Sequence, residues 1–526
     1  MKIHRGFIVI CIILLIGFIV FMREMLHPLS YRNSSALCWK CNVVIIAIDL
    51  LRADSLPCYG YRFDTAPNLC AYSNNNIQFS RAYATSSWTQ PSEASLFTGL
   101  YLHSHGMSAS MRTMLNPQVA TLPKILYAHG YETIAVSNIQ PNVGLEMGLG
   151  KGFTSVRLIP DTPNDSVRGL LGAIDAIQNA NNHRRPAFVF YHTDTVRDYL
   201  NDISDPPSSF SFDPVYHSPA LPKNIYEFTE HTWTVMRDHL LYIINVDTLR
   251  DKDRTYSKLY DKLQNAKTLA DARKVYDALP ASEQGEIIWE SGQATVRTTL
   301  GNRYAPFVRH LYDDSVRTID DALRPAIEKL SQRALSRRTV VIITSEHGEY
   351  LGERGIFGHT QPLFEPETHV PLIMHIPKIS KARVETLASL IDIYHTVFDL
   401  IGVRTAIPKS SISQIPAILH DTREPGRTFV ISEWAHTHRD ESIRTNEWHF
   451  MMRWTSNIMT EELYDLSTDP TETKNVASTH PSVVKSLKET LYLTLGLEPV
   501  YTPINLSFPN WIDEAHRKKL IETGYY

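Results

Sequence analysis

Five cysteines among 526 residues are too few to staple a chain of this length, which excludes a disulfide-built scaffold. Neither sign of charge dominates: 52 Lys and Arg stand against 56 Asp and Glu, so the composition carries no electrostatic footprint for nucleic acid. Internal repeats are lacking, and a 43% hydrophobic content excludes a disordered chain. Long apolar runs are lacking too, with one exception at the N-terminus. What remains is one or two enzyme-sized globular bodies with a substantial buried core.

The exception is Phe7 to Met22, FIVICIILLIGFIVFM, preceded by Lys2, His4 and Arg5. At ~1.5 Å per residue it spans roughly 24 Å, against a hydrocarbon core of ~30 Å that thins locally. The rival is a cleaved signal peptide, whose apolar stretch is usually ~7–15 residues and ends at small residues. Here Arg23 and Glu24 follow instead. The expectation is therefore a single-pass membrane protein with a cytoplasmic N-terminus at 1–6, a transmembrane signal anchor at 7–22 and a polar stalk at 23–40. The catalytic body is then extracytoplasmic. Cys38, Cys41, Cys58 and Cys70 lie early in it, where one or two local disulfides are expected. A Cys-x-x-Cys pair also suits zinc or redox chemistry, and the spacing does not decide connectivity.

Four β-branched runs without polar alternation read as strands buried on both faces: 42–49, 133–137, 187–191 and 339–345. Helical patterns between them, at 122–130 and 311–330, argue for an α/β fold with a parallel sheet covered on both sides. Each run ends in polar residues: Asp49; Asn138; His192 and Asp194; Glu346 and His347. In open α/β sheets, ligands bind outside the carboxyl ends of the strands, and this set suits a hard or borderline metal. Residues 200–293 change character and read as an insertion; alternation after 407 predicts a small antiparallel sheet, followed by a helix at 481–495. Thr89 falls near a helix N-terminus in SSWTQPSEASLFTG, where threonine serves as an N-cap or, beside a divalent ion, as a nucleophile.

Several motifs occur in a fixed order: IDLLRADSLPCYGY (48–61), TAPNL (65–69), SSWTQPSEASLFTGLYLHSHG (86–106), TSEHGEYLGERGIFGH (344–359), PETHVPLIMHIP (366–377) and ELYDLSTDPTETKN (462–475). This set resembles the sulfatase family within the alkaline phosphatase superfamily. The resemblance implies an alkaline-phosphatase-like sandwich: a central mixed sheet between helices, plus a smaller C-terminal antiparallel sheet and helix. It assigns 41–407 to a catalytic domain and 408–526 to a C-terminal subdomain and tail. It implies one divalent ion (Ca, Mn, Mg or Zn) held by Asp49, Glu346 and His347, with Thr89 at the nucleophile position. His359 matches a group contacting the transferring group or leaving oxygen, and Arg52, Asn138, His192 and Arg197 lie at or near positions lining the anion pocket.

The departures are equally specific. Sulfatases carry Cys or Ser at position 89 for oxidation to formylglycine; threonine gives no such aldehyde, so no formylglycine is expected. Glu93 replaces the arginine of the Cys-x-Pro-x-Arg signature, Leu50 replaces a second aspartate, and Arg197 replaces a histidine. Thr89 instead resembles the lipoteichoic acid synthases and phosphoethanolamine transferases, in which threonine attacks phosphorus. The expected function is a membrane-anchored, metal-dependent hydrolase or transferase acting on phosphate or sulfate esters, on a lipid or a glycan, through Thr89. The alternative is a catalytically degenerate sulfatase-like binding protein.

Overall fold

The computed structural model describes residues 36–108, 113–137, 145–159, 163–182, 185–197, 301–359, 362–420, 426–435, 439–455, 458–497, 500 and 504–505. The main sheet has nine strands: β1 (Asn42–Ile48), β2 (Ile77–Tyr83), β3 (Glu132–Ser137), β4 (Ser155–Leu158), β5 (Ala187–Thr193), β6 (Thr339–Thr344), β7 (His369–His375), β8 (Ala382–Val384) and β9 (Ala388–Ser389). Their order is β8-β2-β7-β6-β1-β5-β3-β4, with β9 also on β2. The four runs read as strands are β1, β3, β5 and β6, and they pair parallel with one another. The sheet as a whole is mixed, because β7 runs antiparallel to both β6 and β2.

Strand β1 explains its own composition. Val44, Ile46 and Ile48 join one core with the helices Pro163–Asn182 and Gly301–Ser331. Val43, Ile45 and Ala47 join a second core on the opposite face. With both faces dry, β-branched residues at every position fit and alternation disappears. The register places Ala47 beside both His192 and Thr344, and Ser137 beside His192. The parallel strands therefore end level, and the residues after them meet at one rim.

A second, four-stranded antiparallel sheet comprises β10 (Val430–Ala435), β11 (Arg439–Arg444), β12 (Trp448–Thr455) and β13 (Ile458–Asp465). The helix Pro481–Leu495 closes its core with Leu487, Leu491 and Leu495. It is joined to the main body through backbone and side chain: Glu433 N–H donates to Thr85 O at 2.8 Å, and Ser432 Oγ to Ala84 O at 2.6 Å. Two disulfides form, Cys38–Cys41 and Cys58–Cys70.

The expectation of a single-pass membrane localisation is corrected: no helix among the described residues is long and apolar enough to cross a membrane. The run at 7–22 and the insertion at 200–293 lie outside the described residues. The end of the expected stalk is hydrogen-bonded to the body, with Cys38 N–H on Leu400 O at 2.9 Å and Lys40 N–H on Ile401 O at 3.2 Å.

Candidate active site

Thr89 is the first residue of the helix Thr89–Thr98, entered from Trp88 in extended conformation, and every side chain of that helix is buried. Thr89 Oγ1 lies 3.2 Å from His347 Nε2. His347 Nδ1 faces the Gly348 carbonyl at 2.9 Å, and a carbonyl only accepts, so Nδ1 carries the proton. In the neutral imidazole this leaves the Nε2 lone pair for the Thr89 hydroxyl; Nε2 also lies 3.4 Å from Asp49 Oδ1. The Glu346-His347-Gly348 turn admits no other residue at 348, since a Cβ there would stand 2.0 Å from Pro366 O.

Asp49, His192 and Glu346 each offer a ligand atom within 4.8 Å of one another. His192 Nε2 donates to Glu346 Oε1 at 2.7 Å, while Glu346 Oε2 has no hydrogen-bond partner among the described residues. Burial works against charge on His192, but Glu346, Glu93 and Asp49 outweigh it and hold the imidazole up at about 10. Burial pushes the Glu346 carboxyl up, against the pull of His192. Orphaned carboxylate oxygen beside clustered acid and imidazole donors is the chemistry a divalent cation satisfies, so these residues fit a metal.

The backbone after Asp49 is strained. Leu50, fully buried, sits at φ 63°, a left-handed conformation unfavourable for a bulky residue. Tyr312 holds it there: its hydroxyl donates to Leu50 O at 2.7 Å and accepts from Arg52 N–H at 2.9 Å. Leu51 N–H is bound by Ser345 Oγ at 3.1 Å, tying the Asp49 and Glu346 loops together.

His359 is brought beside His347, with ring centroids 4.7 Å apart. Its Nδ1 is held by Glu349 Oε2 at 2.7 Å, and its buried Nε2 has no hydrogen-bond partner among the described residues. Arg52, expected among the anion-binding groups, is engaged otherwise. It grips Asp54 through Nε and Nη2 at 2.8 and 2.6 Å, and Nη1 reaches Glu353 at 2.7 Å and the Glu349 carbonyl at 2.8 Å. Asp54 two residues on was the local signal for this pairing. Asn138 lies outside the described residues, and Arg197 ends a short 3-10 turn, Thr195–Arg197, with its side chain outside the description. Tyr312, Glu349 and the strained Leu50 carried no separable sequence signal.

A second acid–imidazole group, His103, Glu433 and Glu441, has comparable spacing. There a guanidinium already supplies the positive charge: Arg439 Nη1 is 2.7 Å from His103 Nδ1 and 3.7 Å from Glu441. Burial pushes the Glu433 carboxyl up to about 7, despite the His103 N–H and Arg439. Between an ordinary carboxyl value near 4.5 and about 7 the folded state holds a proton that the unfolded chain releases, so stability falls as pH rises across that window. Glu433→Gln is expected to raise stability above pH 7 by on the order of 1–3 kcal/mol and to change little at pH 4. Denaturant unfolding at both pH values checks this; an equal effect at each would refute it.

Two family models match the chain: Sulfatase over residues 41–403, and N-sulphoglucosamine sulphohydrolase, C-terminal, over 352–495. Arylsulfatase K of Rattus norvegicus is 23% identical over 483 residues, covering 88% of this chain and 79% of its own. Among solved structures, one in complex with its substrate D-glucosamine-2-N,6-O-disulfate aligns with a TM-score of 0.59 at 19% identity, covering 87% of this chain and 98% of its own. The phosphonate monoester hydrolase of Agrobacterium radiobacter aligns with a TM-score of 0.58 at 16% identity, covering 87% and 95%. These likenesses lend no support to the narrower resemblance to lipoteichoic acid synthases and phosphoethanolamine transferases, nor to the exclusion of formylglycine. With the first model spanning well over half its length, the chain belongs to the sulfatase family of ester-bond hydrolases.

Proposed function

We propose that the chain is a divalent-metal-dependent enzyme that cleaves or transfers a phosphate or sulfate ester through Thr89. The observation that carries this reading is the 3.2 Å contact between Thr89 Oγ1 and His347 Nε2. His347 Nε2 accepts the hydroxyl proton as Oγ1 attacks phosphorus or sulfur. Thr89 stands at the positive end of its helix, which favours negative charge developing there. His359, beside His347, is held through Nδ1 by Glu349, and as the imidazolium it can give its Nε2 proton to the departing oxygen. Arg52 acts one step back, holding the Glu349 backbone that positions His359.

A divalent ion held by Asp49, Glu346 and His192, with His347 kept as the base, would polarise the ester oxygens and lower the pKa of the attacking hydroxyl. A threonine has no route to formylglycine, which favours direct attack by Oγ1 and makes phosphorus the preferred centre. A glycan ester is the favoured substrate class, on the strength of the neighbour solved with a disulfated glucosamine.

Chelation tests the reading. The full chain, stripped with EDTA, is assayed on phosphodiester, phosphomonoester and sulfate ester reporters, then reloaded with Mn, Ca, Mg or Zn. Turnover of one ester class is expected to drop at least about 100-fold and to return with one of the ions. Full activity without metal refutes the reading, and a chain inert under every condition favours the binding protein.

A further inference from the structure

We propose that Glu93 is a working carboxylate of the cation site, an addition this chain makes to the strand-end set; the inference rests on the metal-dependent reading above. Glu93 lies one helical turn after Thr89, so the two side chains share a face of the helix. It is 1% exposed, and neither carboxylate oxygen has a hydrogen-bond partner among the described residues. The charged group it approaches is His192, with Oε1 3.9 Å from Nε2, the same nitrogen that lies 2.7 Å from Glu346. Glu93, Glu346 and Asp49 are thus gathered on one imidazole edge and mutually repel.

Two other buried acids among the described residues show the contrast. Asp392, 1% exposed, receives hydrogen bonds from Arg427, Gln414, Ser389 N–H and Ile412 N–H. Glu472 is met by Arg444, His449 and Glu365 N–H. Glu93 differs in having no such partner, and a buried unpaired carboxylate is costly unless a cation answers it. Three carboxylates crowded about one imidazole are like groups that a divalent ion lets ionise together. The residue type matters. Where the family signature has an arginine, glutamate offers the site two further oxygen donors suited to a hard ion.

The test is calorimetric titration of the metal-stripped full chain with Mn²⁺, comparing wild type, Glu93→Gln and Glu93→Asp. Wild type is expected to bind one ion, Glu93→Gln to bind about 10–100-fold more weakly, and Glu93→Asp to fall between. In chelator, Glu93→Gln is expected to melt at or above wild type, because it loses a buried carboxyl with no hydrogen-bond partner among the described residues. Binding by Glu93→Gln within twofold of wild type overturns the role of Glu93 and leaves the metal reading standing. A wild type that binds neither Mn²⁺, Ca²⁺ nor Zn²⁺ overturns both. A variant melting well below wild type with unchanged Mn²⁺ affinity marks Glu93 as structural and also overturns the proposal.

Discussion

Thr89→Ala is expected to lower kcat/KM for the ester substrate by about 10,000-fold, with the fold and the metal affinity kept. The loss is large because the substitution removes the atom proposed to attack, while His347, His359 and the carboxylates stay in place. Thr89→Ser keeps a hydroxyl at the same carbon and is expected to retain activity within one to two orders of magnitude. Thr89→Val keeps the shape without the hydroxyl and should resemble Thr89→Ala, separating chemistry from packing at this buried residue. Steady-state kinetics on the responsive reporter decide it. Thr89→Ala with more than a tenth of wild-type turnover would remove Thr89 from the mechanism and turn attention to a directly activated water.

The second large effect concerns stability. Arg427→Ala is expected to destabilise the chain by about 3–5 kcal/mol, since it strands a buried Asp392 carboxylate among groups arranged for a charged pair. The pair is a junction: Arg427 also donates to Ser410 O at 2.8 Å, and Asp392 accepts from Gln414 Nε2 at 2.8 Å. Removing both charges together, Arg427→Met with Asp392→Asn, is expected to recover part of the loss, because the unpaired charge is then gone. Denaturant unfolding of the three chains measures the coupling. Purely additive losses would show that the junction contributes packing and not charge pairing.

What the sequence made legible follows from what each element must do locally. The runs at β1, β3, β5 and β6 announce themselves because strands buried on both faces need β-branched residues throughout, and their ends fall where chemistry collects. The antiparallel β7 was not legible as such, because a strand's direction depends on how the chain returns to the sheet and leaves no mark on its composition. In the site, Thr89 and His347 were both read, but their contact crosses 258 positions that no spacing rule spans. His192 was read as an anion-pocket residue; the structure turns its Nε2 onto Glu346, 154 positions away. Glu93 was visible as a departure from a signature, and its i, i+4 relation to Thr89 was the cue to its place beside the site.

The aromatic cluster of Trp88, Tyr350, Phe364, Trp434, Met451 and Tyr464 joins the neighbour of Thr89 to three strands of the second sheet. Trp88 in turn leans on His359, with ring centroids 5.3 Å apart. The walls around Thr89 and His359 are therefore assembled from both ends of the described chain. The change to alternation near residue 407 marks a boundary in sequence that the packing crosses. Cutting there would remove half of the wall behind Trp88, so the C-terminal sheet is part of the candidate site's frame and not an appendage to it.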